Sequence, residues 1–239
     1  MSATPRQLGP EVQGFVPPPH PAGLHQSGAY VALEPLSADL HAADLHRAFS
    51  VDDALWDYLG YGPFAGAAAY HRWVKERETS LDPVFFALRD RVTGHACGVA
   101  SFLRIDQANG VLETGHICLS PELQRSRAAT EAMFLMLDWS FSAGYRRHEW
   151  KCDALNAPSR NAAARLGYTF EGIFRQHMIV KGRNRDTAWF SVIDSEWQVL
   201  RPAFVAWLDA RNFTDDGRQI QRLSDLVAAA REGTDISLL

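Results

Sequence analysis

The sequence predicts an α+β fold in which one sheet carries helices on both faces. Three observations point there. Three strand-like runs follow one another across tight turns, as in an antiparallel meander. A long, largely apolar helical run comes directly after them. A strand, a short helix and a final hairpin follow that run, giving an order of strand–helix–helix, meander, helix, strand, helix, hairpin.

Each element has a local cause. Residues 1–29 are rich in Pro, Gly and His, and Pro17-Pro18-Pro19-His20-Pro21 favours an extended polyproline arm. Such an arm either wraps a surface or trails as a tail. A strand is expected over 30–36, then an amphipathic helix over 37–49 with Ser37 as N-cap and Leu40, Asp44 and Leu45 at helical spacing. A second helix, 65–78, follows the turn-rich stretch 59–63. The meander comprises 84–89, 95–105 and 111–119, with turns at 90–94 and Asn109-Gly110. The long helix covers 125–143 and ends at Gly144. Its polar residues Arg127, Glu131, Asp138 and Ser142 form one narrow stripe, so the rest of its surface is buried. A strand at 146–152, a helix at 158–166 and a hairpin of 174–180 with 187–193 around Lys181-Gly182-Arg183-Asn184 complete the set. Beyond Trp197 the chain is amphipathic and helical, with a turn at Asp215-Asp216-Gly217. The expected organisation is an arm over 1–29, a central domain over 30–198 and a helical extension over 199–239. The arm and the extension are the segments that could support a homodimer.

Composition narrows the function. The 239 residues are 46% hydrophobic and 22% charged, enough for a core burying roughly 70% of the unfolded surface. A net charge of −4 and a pI near 6.1 argue against a nucleic-acid partner. No run of about 18 apolar residues is present to span a membrane, and the N-terminus lacks the cationic and apolar parts of a signal peptide. Cys97, Cys118 and Cys152 form no CxxC pair and read as reduced thiols of a cytoplasmic protein. The histidines show no HxH or HExxH spacing, and His41 and His46 are five apart, so no metal is expected.

The chemistry concentrates where Leu119-Ser120-Pro121 ends a strand and Gln124, Arg125, Ser126, Arg127, Ala128, Ala129 and Thr130 open the buried helix. A helix start fed from a strand offers unpaired N–H groups and a positive dipole end, suited to a phosphate or pyrophosphate. Arg125 and Arg127 add cationic charge there, although a solvated helix start would carry the same residues.

Several stretches together resemble the GNAT superfamily of acetyl-CoA-dependent N-acyltransferases, in particular its ribosomal-protein N-acetyltransferase-like branch. They are Gly115 to Pro121, Gln124 to Ala132, Asn156-Ala157-Pro158-Ser159 with Leu166-Gly167-Tyr168, Glu171 to Arg175, and Arg185-Asp186, within a span of 30–197. The resemblance implies a GNAT fold, with a mixed, mostly antiparallel central sheet and helices on both faces. It implies acetyl-CoA as cosubstrate, with its pyrophosphate on the loop and helix start. Arg127 stands where the family usually has the first glycine of that loop. With negative φ its amide still faces the phosphate; if the loop needs positive φ, arginine costs of order 1–2 kcal/mol.

By the same resemblance the strand 111–119 splays from 146–152 and admits the pantetheine arm. Backbone groups of Ile117, Cys118 and Leu119 then pair with its amides, and one N–H polarises the thioester carbonyl. Asn156 holds the cofactor arm. The slot where relatives place a tyrosine acid is Ala163, so Ser159 takes that role, with Tyr168 in reserve. Two residues compete as base for the attacking amine: Glu113 in mid-strand and His116, whose ordinary pKa lies near neutrality. The acceptor is a primary amine, either a peptide N-terminus or a small molecule. The alternatives are a non-catalytic acyl-CoA-binding module, or a transferase for a longer acyl-CoA accommodated by Ala100 and Ala129.

Overall fold

The computed structural model describes residues 7–234. A short strand, β1 (Gln26–Ser27), precedes β2 (Val31–Pro35), α1 (Ala38–Phe49) and α2 (Ala67–Arg77). The meander is β3 (Val84–Asp90), β4 (Ala96–Asp106) and β5 (Val111–Leu119). Then come α3 (Arg127–Ser142), β6 (Arg147–Asp153), α4 (Ala157–Arg165), the hairpin β7 (Thr169–Val180) and β8 (Arg183–Ile193), α5 (Asp194–Leu208) and α6 (Leu223–Arg231). Among the described residues these strands form one eight-stranded sheet in the order β1-β2-β3-β4-β5-β6-β8-β7. Every neighbouring pair is antiparallel except β5–β6, so the sheet is mixed and mostly antiparallel, as expected.

Strand alternation divides the core in two. Leu33, Phe86, Leu88, Phe102, Leu112 and Phe190 face α3, α5 and α6 in the larger cluster. Phe85, Ala87 and Val99 face α1 and α2, where Leu45, Phe49, Tyr70 and Trp73 pack. Beyond the cover of those two helices, the second face is polar on β5, β6 and β8. That polar half-face, largely buried, borders the site.

Alanines at 128, 129 and 132 let α3 lie close to the sheet. Ser126 caps it by accepting the Ala129 N–H at 3.0 Å, and Gly144, at φ 100°, ends it. Glu131 departs from the polar stripe expected of this helix. It is buried, and its carboxylate accepts the N–H groups of Ala29, Tyr30 and Val31 at 2.6–2.8 Å. Gly28 makes that cradle possible, since a Cβ there would lie 2.2 Å from the Glu131 carboxyl carbon.

The last hairpin is longer than its apolar runs suggest. Val180 pairs with Arg183 across a two-residue turn of Lys181 and Gly182, both at positive φ. Bulges near Gly172 and Gln176 bend β7, and most of that strand is exposed. An exposed ribbon needs no apolar alternation, which is why its polar half carries no strand signal. The proline arm folds back on its own chain. Pro18 and Pro19 carbonyls accept from Gln107 Nε2 and Tyr145 Oη, and the Arg146 guanidinium lies over Phe15. The boundary expected near residue 198 falls inside α5, whose Leu200, Phe204 and Trp207 are core residues. Among the described residues no helix is long and apolar enough to cross a membrane.

Candidate active site

β5 and β6 pair in parallel only from Val111–Arg147 to Thr114–Trp150. Both strands continue, β5 to Leu119 and β6 to Asp153, without further pairing between them. Their facing backbone groups are therefore open to a third, chain-like partner. The divergence starts where β5 bulges: Ser101 pairs with Gly115 and Val99 with Cys118, leaving His116 and Ile117 opposite one residue. His116 takes φ 51° at that bulge. Ile117, Cys118 and Leu119 thus edge the gap.

The gap leads to the start of α3. Hydrogen-bond accounting there is short. Ala129 N–H goes to Ser126, Ser126 N–H to Leu123, and Gln124 N–H to Ser120, while among the described residues the N–H groups of Arg125, Arg127 and Ala128 have no acceptor. Three free donors therefore sit at the positive end of the α3 dipole. The left-handed residue of this loop is Arg125, at φ 60°, and not Arg127, which is helical. Arg127 also turns its guanidinium away from the loop, 3.8 Å from the Phe213 ring centroid and 3.3 Å from the Tyr30 hydroxyl. The glycine slot thus holds an arginine whose backbone is ordinary and whose side chain is anchored elsewhere. Gln124 donates to the Leu119 carbonyl, and Thr130 accepts from Arg165.

Across the gap, Asn156 caps α4 by accepting the Ser159 N–H. Ser159 Oγ accepts the Trp150 indole N–H at 3.0 Å, and its own hydrogen is directed at the Cys152 sulfur. The buried Cys152 thiol lies beside it, pushed above its usual pKa chiefly by desolvation. Cys118 is pushed up to about 12 by burial, which removes it as a thiolate nucleophile. Tyr168 is buried among His148 and Trp150, and burial raises its pKa far above the ordinary phenol value.

The two candidate bases sit differently. Glu113 is 3% exposed; its Oε2 receives Arg104 at 2.6 Å and Lys151 at 3.0 Å. Lys151 is itself buried, bonds Glu149 at 2.6 Å, and lies 3.8 Å from the Trp189 ring centroid. Through Arg147 and Glu171 the ladder reaches Ser191. His116 is less completely buried, stacks on Tyr61 and contacts Phe85, and its Nδ1 lies 3.2 Å from the Tyr61 hydroxyl. Burial lowers its pKa to about 4, aided by Arg104, Arg77 and Arg185, so it is neutral at pH 7. Above these residues runs the segment between α1 and α2. Tyr58 Oη donates to the Leu155 carbonyl on one side, and Lys181 Nζ to the Trp56 carbonyl on the other.

This arrangement agrees with what the chain is similar to. The description "Acetyltransferase (GNAT) domain" matches residues 31–169. The chain belongs to the GNAT acetyltransferase family. A GCN5-related N-acetyltransferase from Brucella melitensis is 46% identical, with a TM-score of 0.89 over 91% of this chain and 100% of that one. An uncharacterized N-acetyltransferase, p20, from Bacillus licheniformis is 27% identical over 66% of this chain and 91% of its own length. The microcin C7 self-immunity acetyltransferase MccE, solved with acetyl-CoA and AMP, shares the fold at a TM-score of 0.61 and 20% identity, over 70% of this chain and 93% of that one. The family assigns acyl transfer from an acyl-CoA to an amine, and the chain is an acyltransferase.

Within that family frame, Arg104, Lys151 and Lys181 are neighbours of the site that the sequence reading missed. Arg104 and Lys151 reach Glu113 only through strand register, and Lys181 reaches Trp56 over 125 positions, so no local spacing marks them. Of the aromatic residues Trp56, Tyr58, Tyr61, Phe64 and Trp73 around α2, four pack in the core beneath α1 and α2, Tyr61 also stacks on His116, and Tyr58 reaches Leu155. Among the described residues no His, Cys, Asp and Glu group could hold a metal ion.

Proposed function

We propose that this chain is an acetyl-CoA-dependent N-acetyltransferase that moves the acetyl group directly onto a primary amine. The observation that carries this reading is the gap between β5 and β6, opening beside free N–H groups at the start of α3. Pantetheine amides suit the open strand edges, and a pyrophosphate suits the cradle at Arg125, Arg127 and Ala128. The thioester then lies near the bulge at His116 and Ile117.

The neutral amine attacks the thioester carbonyl carbon, forming C–N. Carbonyl charge is taken up by a backbone N–H at the edge of β5. His116 accepts the proton lost by the nitrogen; it is neutral and reachable, whereas Glu113 is sealed between Arg104 and Lys151. The C–S bond breaks, and Ser159 delivers a proton to the leaving thiolate, its lone pair already fixed by the Trp150 N–H. Amide and free thiol result, and the proton held on His116 restores Ser159 through solvent.

An amine of low pKa fits this chemistry. At pH 7, freeing an α-amine of pKa about 7.8 costs about 1 kcal/mol, and freeing a lysine of pKa about 10.4 costs about 4.6 kcal/mol. A neutral imidazole offers no strong base to make up the larger figure. N-terminal α-amines, and small amines of similarly low pKa, are therefore the acceptors of choice. Labelled acetyl-CoA incubated with a panel of peptides and amines tests the proposal: label appears in amide product with equal release of thiol. Thiol release no faster than hydrolysis across the panel contradicts it.

A further inference from the structure

We infer that the amine acceptor carries an acidic group, a carboxylate or phosphate, and that Arg185 is the residue selecting it. The inference rests on the transfer reading above and names the class of its acceptor.

Arg185 lies on β8, in alternation with Thr187, Trp189 and Ser191. That face of β8 looks onto the ladder containing Glu113: the Trp189 ring covers Lys151 Nζ, and Ser191 bonds Glu171. Arg104 and Arg147, on the same ladder, each bind carboxylates. Arg185 binds none. Its guanidinium is half-buried, its Nε is shielded from solvent, and that Nε has no acceptor. The carboxylates of these strands have other partners. Asp186 accepts from Gln176 N–H and Asn184, Asp153 from Leu155 N–H, and Glu113 and Glu149 from the ladder cations. Trp189 Nε1, on the same face, is a second buried donor without an acceptor.

Buried donors normally find acceptors, and leaving one unmet is unfavourable. Both unmet groups here are donors and one carries a full charge, so the complementary ligand is an anion. The place agrees with an acceptor group. The positive charge of Arg185 reaches His116 and Cys152, at the two sides of the gap. The pyrophosphate cradle lies elsewhere, at the start of α3.

The test uses the full chain and matched amines: phenylalanine against its amide, and phosphoethanolamine against ethanolamine. Calorimetry on the CoA-loaded protein reads binding, and thiol release with acetyl-CoA reads transfer. The acidic member of at least one pair binds about 10- to 100-fold more tightly, the size expected for one charge-assisted contact. Arg185→Ala removes that preference and Arg185→Lys restores part of it, while the acetyl-CoA KM stays within about twofold. The pair that responds tells carboxylate from phosphate. Equal binding within both pairs overturns the inference, as does an Arg185→Ala variant that instead loses affinity for acetyl-CoA. Arg185-dependent binding of acidic amines without any transfer overturns the transfer reading and leaves the anion site standing.

Discussion

Glu113→Gln separates a structural carboxylate from a catalytic one. Wild-type Glu113 holds two cations on one oxygen, at 2.6 and 3.0 Å, with side-chain exposure of 4% against 3% for Lys151. Breaking a buried ion pair from one side costs about 3–5 kcal/mol. Lys151 keeps Glu149 and the Trp189 ring, and Arg104 is half-exposed, so the lower figure applies. At about 2–4 °C per kcal/mol for a chain of this size, Tm falls by about 6–12 °C. Measured well below that Tm, kcat/KM falls by less than about tenfold. His116→Gln does the reverse: Tm moves little and kcat falls about 100-fold or more, the usual loss for a general base. Scanning calorimetry with steady-state kinetics on both variants reads the two effects. A Glu113→Gln protein of unchanged Tm and kcat reduced 100-fold or more would refute the assignment and make Glu113 the base.

Other consequences follow from neighbouring groups. His148 is fully buried, bonds Thr114 Oγ1 through Nε2, and leaves Nδ1 without a partner; desolvation lowers its pKa to about 3. The folded state therefore binds fewer protons than the unfolded one between about pH 6.5 and 3, so stability falls as pH falls through that window. Between pH 7 and 4 this amounts to about 3 kcal/mol, and urea unfolding of His148→Gln shows a pH dependence smaller by that amount. Ser159→Ala lowers kcat about 100-fold while the acetyl-CoA KM moves less than about threefold; an unchanged kcat excludes Ser159 as the proton donor. Arg127→Ala changes acetyl-CoA affinity by less than about threefold, because its side chain is spent on Phe213 and Tyr30. A tenfold loss by calorimetry would place that guanidinium on the phosphate.

The sequence carried the features that local chemistry dictates. The loop after Leu119, the Ser126 cap and the alanine-lined start of α3 could be read in order, as could the meander around Asn109-Gly110. What it hid depends on register and tertiary placement. Arginine at position 127 looked like a conformational problem, but the left-handed residue is Arg125, two positions earlier. Glu131 fitted a polar stripe by spacing, yet the turn before β2 wraps its carboxylate. Glu113 stood in mid-strand as a candidate base, but its side chain lies in a buried ladder, because Arg104 and Lys151 converge from both neighbouring strands. The unmet donor of Arg185 is likewise visible only when every nearby carboxylate has been assigned a partner.

A crystal structure of the protein with bound coenzyme A tests the central claim most directly. The account predicts the pantetheine threading between Gly115–Leu119 and Lys151–Asp153, with pyrophosphate oxygens accepting from the amides of Arg125, Arg127 and Ala128. A coenzyme lying outside that gap, with those amides still unbonded, would contradict it.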